Sequence, residues 1–477
     1  MAIIKSISGL RFTLEELEQN PNLIKNYAKA FHHCLECGEI VIARDGRPSG
    51  IKILEQLTDE LTFLGRDIIL LDIVPTPTLQ VFVEKHKAAG GICITASHNP
   101  ENWNGLKFMT SKGVCFDEKQ FNNLQNELDN NRKVEKCEKG TITKNKNAIA
   151  EHIKNVLSAK SLTNYFLIDK KNQEVYKFDD IIKNYIKNNK VKFVIDAVNS
   201  AGSVAVPMLL EKFGAEYEKL YCDNNGIFPH SPEPLPENLT ALSNFIGEKS
   251  KNGERYIGIA VDPDADRLVL VDEDGNCISE EKTICIAIDS LFFVWGTKYD
   301  VIVNQSTTML VDWIVKNYNE RMKVLRSAVG EINVVNMMQK HWDVMRSVIG
   351  GEGSGGVILS DCHYGRDSLV GIVLLLNILG RKKITLKELI NSYPQYTMLK
   401  KKYDFAGDKE NLYNKIKKAN TDYEISEIDG IKIYYEKGWV HIRTSNTEPI
   451  IRIIAEAEDE NTAKEYLERI EKILMSF

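Results

Sequence analysis

Three aspartates stand two residues apart in Asp262-Pro263-Asp264-Ala265-Asp266-Arg267, directly after the apolar run 258–261. Carboxylates at i, i+2 and i+4 on one loop repel each other unless a cation holds them. Hard oxygen donors in this number suit Mg²⁺, which keeps its remaining positions for phosphate oxygens or water. The alternative is a plain acidic turn capped by Arg267. A turn of that kind stands nearby for contrast, Asp272-Glu273-Asp274-Gly275, and reads as a hairpin loop after the strand 268–271. The first cluster differs from it in its proline-stiffened loop and adjoining arginine. Phosphatases with an aspartate nucleophile also open on Asp-x-Asp after a strand, but with Thr or Val at the fifth position. A third aspartate there fits chelation better than attack.

Three further segments carry polar groups in compact turns. The buried strand 91–94 runs into Thr95-Ala96-Ser97-His98-Asn99-Pro100. A serine at the carboxyl end of such a strand sits where open α/β sheets bind ligands. Serine is a weak nucleophile that needs a base or a metal, so the segment reads equally as an ordinary turn or as a reactive hydroxyl. In Gly350-Gly351-Glu352-Gly353-Ser354-Gly355-Gly356 the glycines let the backbone approach a ligand closely. Glu352 and Ser354 are spaced to hydrogen-bond adjacent hydroxyls, though a flexible linker has the same composition. Arg443-Thr444-Ser445-Asn446-Thr447-Glu448-Pro449 gathers side-chain donors and free N–H groups in one turn between strands. Such a set suits phosphate, although a polar loop looks the same in isolation.

The elements that must position these loops recur. A short apolar strand, a polar turn and an amphipathic helix follow one another at 39–43, 44–47 and from Ser49. They do so again at 192–196, 197–202 and 204–213, and at 300–303, 304–307 and 308–318. Each unit leads into another strand, at 68–71, 216–221 and 323–325. This alternation predicts parallel strands in βαβ units and three similar domains. The C-terminal part differs: 431–436 and 439–443 alternate as a hairpin around Lys437-Gly438, 450–456 is a strand, and 461–474 is a helix opening on Asn461-Thr462. The Lys- and Asn-rich stretches 129–147 and 170–190 read as solvated connections.

At 477 residues the chain is too long for one core, which stops growing near ~250–300 residues. Net charge is −6, from 61 Lys+Arg against 67 Asp+Glu, with no long basic run, which argues against nucleic acid as partner. The apolar stretch 369–379 is too short for a membrane span. No secretory signal pattern opens the chain, so the nine cysteines are expected as reduced thiols in a cytoplasmic protein. His32-His33-Cys34-Leu35-Glu36-Cys37 has no second Cys/His cluster to complete a metal site and reads as the end of a helix begun near Pro21.

Taken in order, the four motifs resemble the α-D-phosphohexomutase superfamily: a phosphoserine loop, a metal loop, a sugar loop and a phosphate loop. Ser8-Gly9-Leu10-Arg11 resembles that family's first arginine turn, although Phe12-Thr13 follow where glycine is common. The resemblance spans the whole chain. It implies an α/β fold of three similar mixed-sheet domains plus a C-terminal α+β domain around a central cleft, at about 1–155, 156–275, 276–382 and 383–477. Carried over, Ser97 is the phosphoserine with His98 beside it. Asp262, Asp264 and Asp266 hold Mg²⁺ with a phosphoserine oxygen. Arg11, Lys107 and Arg267 flank the transferring phosphoryl, with Lys107 as an acid or base. Glu352 and Ser354 grip sugar hydroxyls, Glu331 lies in a second sugar loop, and Arg443, Ser445, Asn446 and Thr447 hold the other phosphate.

The implied reaction interconverts hexose 6-phosphate and hexose 1-phosphate through a hexose 1,6-bisphosphate, so the partner is a small sugar phosphate. The sugar loop together with W-N-G-L-K-F after Asn102 and V-G-E at 329–331 looks most like the archaeal and Bacteroidetes-type phosphoglucosamine mutases. Phosphomannomutase/phosphoglucomutase is the alternative. A metal-dependent sugar phosphatase and a non-catalytic sugar-phosphate sensor are more distant ones. Oligomeric state is left open.

Overall fold

The computed structural model describes residues 3–130, 138–163, 167–169, 174–295, 301–345, 349–444 and 450–476. The first sheet orders its strands Ile3–Ser6, Gly9–Thr13, Trp103–Thr110, Gly90–Ile94, Ile40–Arg44, Ile68–Ile73 and Ile142–Lys144. The last four are mutually parallel and the first three join antiparallel. The second sheet runs Glu216–Lys219, Lys192–Asp196, Tyr256–Val261, Leu268–Val271. The third runs Val324–Ser327, Val301–Asn304, Ile349–Glu352, Gly356–Leu359. In both, three parallel strands end on an antiparallel edge.

The strands joined through helices pair in parallel, as the alternation predicts, and the antiparallel edge that makes each sheet mixed has a simple cause. The segments after Gly90–Ile94, Tyr256–Val261 and Ile349–Glu352 are tight turns rather than helices. A tight turn joins antiparallel strands only, since a parallel return needs a crossover of a dozen or more residues. The serine, aspartate and glycine-rich motifs are those turns. They therefore occupy one equivalent position in three repeated units. The fourth sheet is wholly antiparallel, in the order Thr397–Asp404, Ile450–Ala457, Gly438–Thr444, Ile431–Tyr435, Glu424–Ser426. The hairpin turn falls at 436–437, one residue before the Lys437-Gly438 read from the alternation, because Gly438 already pairs with Tyr435 in the ladder.

The helix Leu23–Cys34 buries Ile24, Tyr27, Ala28, Ala30 and Phe31, so the His/Cys run is indeed a helix end. The stretch 170–190 is not simply a solvated connection. It contains the helix Phe178–Asn189, whose Phe178, Ile181, Ile182, Tyr185 and Ile186 are buried. Its lysines and asparagines line the outer face and mask the apolar stripe. Within 129–147, Ile142–Lys144 forms an edge strand beside Ile68–Ile73. The acidic turn at 272–275 does more than close a hairpin: Glu273 accepts from Leu386 N (2.8 Å) and Lys387 N (3.0 Å), capping the helix Leu386–Asn391.

The centre of the molecule is the helix Ser368–Lys382, every residue of which is buried from Ser368 to Gly380. An all-apolar helix belongs between other elements rather than on a surface, and this one lies between Glu281–Trp295 and Phe178–Asn189. Its apolar run is a core helix, and among the described residues no helix is long and apolar enough to cross a membrane. Asp367 caps it, accepting from Leu369 N (2.9 Å) and Val370 N (3.4 Å). Truncating Leu375, fully buried in this helix, is expected to cost about 2–5 kcal/mol through lost transfer energy and the cavity left. The check is a lower urea midpoint for Leu375→Ala, with the divalent-cation affinity of the folded protein unchanged.

Candidate active site

The strand Gly90–Ile94 is buried throughout and ends one residue before Thr95. The turn beyond it is locked by Thr95 and by Asp45 and Arg47 of the neighbouring turn. Ser97 N donates to Thr95 Oγ1 (2.9 Å), and Thr95 Oγ1 donates to Asp45 Oδ2 (2.7 Å). Arg47 is ion-paired with Asp45 and donates to Ser97 O (2.9 Å) and Asn99 O (2.5 Å). Held this way, Ser97 adopts φ = 51°, a left-handed conformation that a residue with a Cβ takes only when its surroundings enforce it. Its hydroxyl lies 3.4 Å from Asp262 Oδ2 and 3.4 Å from His98 Nδ1. Arg11 NH1 donates to Asn99 Oδ1 (2.7 Å), which brings the first arginine turn beside the serine loop.

The aspartate loop is built by the same means. Asp262 Oδ1 accepts from the N–H groups of Asp266 and Arg267, each at 3.1 Å. Ala265 is left-handed at φ = 51°. Ser200 Oγ donates to Pro263 O (2.6 Å), and Thr76 Oγ1 donates to Asp264 Oδ2 (2.5 Å). The three carboxylates are fully buried. Burial pushes the Asp262 carboxyl well up, and Asp266 and Asp264 add to that. Burial acts the same way on Asp266, but Arg366, Lys107 and Arg267 outweigh it and hold that carboxyl well below the usual range.

Two cations meet this charge. Lys107 Nζ lies 2.6 Å from Asp264 Oδ2 and 3.0 Å from Asp266 Oδ2. Burial disfavours its ammonium, yet the two carboxylates prevail and raise its pKa. Arg366 NH2 lies 2.7 Å from Asp266 Oδ2. His98 sits near Arg267 and Arg11 and, through burial and their charge, is pushed down to about 2, so its imidazole is neutral. Arg267 NH1 pairs with Glu233 Oε1 at 3.4 Å, and His98 Nε2 lies 3.8 Å from the same oxygen.

The aspartates fit a divalent cation on more than their spacing. One oxygen from each lies within 4.8 Å of the others. Asp264 Oδ1 and Asp266 Oδ1 are buried with no hydrogen-bond partner. A buried carboxylate oxygen is costly to leave unmet, and an all-oxygen donor set selects a hard ion such as Mg²⁺.

The glycine-rich turn comes to the same place. Glu352, itself buried, accepts from Asn304 Nδ2 (2.8 Å) and Gly330 N (3.0 Å) on one oxygen and from Arg366 NH1 (2.9 Å) on the other. Glu331 accepts from Arg366 N (3.1 Å) and pairs with its side chain at 3.4 Å. Ser354 is partly exposed in the turn. Arg443, half-buried, reaches Asp429 Oδ2 at 3.4 Å, and that oxygen also accepts from Val329 N (3.0 Å), beside Glu331. Ser445, Asn446 and Thr447 lie outside the described residues.

Several residues of this site are missing from the motifs. Arg366 is the main one, since its guanidinium bridges Asp266, Glu352 and Glu331. Asp45 and Arg47 had a visible signal, standing in a polar turn at the end of the strand Ile40–Arg44, on the same sheet edge as Ser97. Asn304 likewise ends the strand Val301–Asn304 beside Glu352. Thr76 opens the helix Thr76–His86 and Arg366 stands in a loop, and no local pattern singles out either.

Comparison with known proteins matches four models of the phosphoglucomutase/phosphomannomutase family in order along the chain. Alpha/beta/alpha domains I, II and III match residues 3–135, 173–275 and 279–396, and the C-terminal domain matches 405–473. A phosphoglucomutase/phosphomannomutase of Thermococcus kodakarensis is 32% identical over 91% of this chain and 89% of its own length. A phosphoglucosamine mutase of Methanococcus aeolicus is 32% identical over 90% of each chain. Among solved structures, a family protein from Burkholderia thailandensis shares the fold with a TM-score of 0.79 at 22% identity, over 99% of this chain and 98% of its own. With a buried serine against a three-aspartate loop and four matched domains, the chain belongs to the phosphoglucomutase/phosphomannomutase family, the mutases of the phosphohexomutase superfamily.

Proposed function

We propose that this enzyme interconverts a hexose 6-phosphate and its 1-phosphate through a phosphorylated Ser97 and a hexose 1,6-bisphosphate. The observation that carries this reading is the buried Ser97 hydroxyl 3.4 Å from Asp262, at the mouth of the three-aspartate loop. In the first transfer a sugar hydroxyl oxygen attacks the phosphorus, the bond to Ser97 Oγ breaks, and the hydroxyl proton leaves. The bisphosphate turns end for end, and Ser97 Oγ takes the phosphoryl from the other oxygen, which recovers a proton. The cation, held by Asp262, Asp264 and Asp266, would draw negative charge from the phosphoryl oxygens. Arg11, Lys107 and Arg267 flank the group in flight, with Lys107 as the acid or base and His98 beside the serine. Most of the work is positioning and charge stabilisation.

The glycine-rich turn with Glu331 and Glu352 forms the sugar site, and Arg443 with Ser445, Asn446 and Thr447 holds the non-transferred phosphate. The substrate assigned is glucosamine 6-phosphate, converted to glucosamine 1-phosphate. In support, several similar archaeal proteins carry the name phosphoglucosamine mutase, and Glu331, in the second sugar loop, offers a carboxylate to a 2-ammonium group. The second reading is a phosphomannomutase/phosphoglucomutase. It draws on the Thermococcus kodakarensis relative and on Arg366, which already neutralises part of the acidic charge.

Two experiments test this. Purified enzyme is expected to carry phosphate on Ser97 by peptide mass spectrometry, and Ser97→Ala to lose turnover by at least about 10³-fold. Normal turnover in that variant would sink the mechanism. The substrate is decided by kcat/KM across glucosamine, glucose and mannose phosphates, in wild type and in Glu331→Gln. A favourable ammonium–carboxylate contact of about 1–3 kcal/mol gives roughly ten- to a hundredfold preference for glucosamine phosphate, reduced in the variant. Equal or better use of glucose or mannose phosphate by the wild type would establish the second reading.

A further inference from the structure

Three consecutive residues at the entry to the buried central helix, Arg366, Asp367 and Ser368, make separate contacts. Arg366 spans Asp266 (2.7 Å) and Glu352 (2.9 Å). Ser368 Oγ donates to the carbonyl of Ala265 (2.7 Å), the left-handed residue between two of the aspartates. Asp367, between them, faces away from the site and into a closed cluster. Its Oδ2 lies 2.8 Å from His152 Nε2 and 3.1 Å from His363 Nε2, while its Oδ1 caps the helix. All three residues of this cluster are buried, His363 at 3% exposure being the most open.

The chemistry of the cluster follows from the acceptor. A carboxylate only accepts, so each histidine presents its Nε2–H to Asp367. In His152 the other nitrogen is then free to accept the Thr78 hydroxyl at 2.9 Å. The groups are close enough to ligate a metal. However, both ring N–H groups are already spent on the carboxylate, whose second oxygen is committed to the helix cap. The arrangement is a hydrogen-bonded relay, and it joins three separate elements. Thr78 is on the helix Thr76–His86, which begins at the residue bonded to Asp264; His152 is on the helix Ala148–Leu157; His363 and Asp367 flank Arg366. The same loop is clamped again by Asn155 Nδ2 to Cys362 O (2.8 Å) and by Ser161 to Asp361 (2.6 and 2.8 Å).

Arg366 has no latitude of its own to compensate if this anchor shifts. Its side chain lies across Gly356, where a Cβ would stand 2.2 Å from Arg366 Cδ, so the floor beneath it is backbone. Its guanidinium has to reach acids on two different loops at once. Whatever fixes the backbone at 366–368 therefore fixes the distance between the metal loop and the sugar loop. We propose that His152 and His363 are positioning residues of the mutase reaction: through Asp367 they hold Arg366 between Asp266 and Glu352, setting cation and sugar sites in register.

The inference rests in part on the reading of the three aspartates as cation ligands, and the test separates the two. Mn²⁺ affinity is measured by calorimetry, and kcat and KM for the sugar phosphate by assay, in His152→Phe, Thr78→Val, Arg366→Ala and the double variants. His152→Phe is expected to weaken Mn²⁺ binding about tenfold, the scale for a group that orients a ligand-contacting side chain. It is also expected to raise KM more than it lowers kcat. Thr78→Val, which removes the hydroxyl bonded to His152 Nδ1 and keeps the side chain's shape, moves both the same way by less. In the Arg366→Ala background neither substitution adds a further effect, because the residue they act through is gone, and His152→Gln, which keeps a donor at the Nε2 position, recovers most of the loss. Fully additive effects, or wild-type Mn²⁺ affinity and KM in both single variants, would overturn the proposal. Should His152→Phe fail to fold, the Thr78→Val cycle decides alone. Asp264→Asn is the control. If it still binds Mn²⁺ normally, the aspartate reading fails, and the coupling measured in KM decides this proposal by itself.

Discussion

Burying three carboxylates on one loop is the constraint on which the rest of this structure depends. Each ion taken out of water costs several kcal/mol even after relaxation, and like charges at this separation add to the cost. The chain meets it with Lys107 from the first sheet and Arg366 from the loop after the third. Neutralising the aspartates therefore requires three units to close on one point. The hydrogen bonds of Thr76 to Asp264 and of Ser200 to Pro263 add to the same convergence. Two oxygens, Asp264 Oδ1 and Asp266 Oδ1, are still without a hydrogen-bond donor, the second having only Arg267 Nε at 4.0 Å. The protein cations offset the charge without saturating the donors, which is the condition for a site that also takes a divalent ion.

The repeated topology explains how such a point can exist. Each of the first three units ends its run of parallel strands with a tight turn into an antiparallel strand, and each of those turns is a motif. Strand ends of one kind are brought together, so side chains far apart in sequence meet: Ser97 and Asp262 are separated by 165 positions and Arg366 and Asp266 by 100. The left-handed backbone of Ser97 and of Ala265 falls in two of these turns. Each is locked by hydrogen bonds within its loop and from neighbouring elements, Arg47 to Ser97 O and Ser368 to Ala265 O among them, so the protein itself maintains the strain.

What was legible in the sequence follows the same division. The motif turns were legible because each combines a strand, a proline or glycine, and polar groups at fixed short spacing. Strand and helix alternation was legible for the same local reason. Arg366, Asp367 and His152 were not, because their roles depend on partners brought in from 100 or more residues away, Asp266 for Arg366 and His152 for Asp367, and no periodic pattern marks them. The helix Phe178–Asn189 was hidden differently: its apolar residues sit at helical spacing, but the lysines and asparagines around them dominate the composition. Glu352 shows the opposite limit. Its presence among glycines suggested a group free to grip a ligand, whereas in the fold its oxygens already accept from Asn304, Gly330 and Arg366.

These contacts divide the site by stiffness. The serine, aspartate and glycine-rich turns are tied by buried pairs whose rupture leaves an uncompensated charge, so they hold one geometry. The C-terminal unit is docked on the third by buried groups as well, through Glu456 with Met309 N (2.7 Å) and Lys432 with Gln305 O (2.6 Å). Its Arg443, by contrast, is more open and held by a 3.4 Å pair with Asp429, the kind of contact that contributes little and yields readily. A reaction in which one sugar bisphosphate presents either end to the same serine needs a fixed chemical centre and an adjustable grip on the distal phosphate. The distribution of buried and exposed charge fits the proposed reaction on both counts: rigidity where Ser97 and the aspartates meet, and compliance at Arg443, the residue proposed to hold the far end.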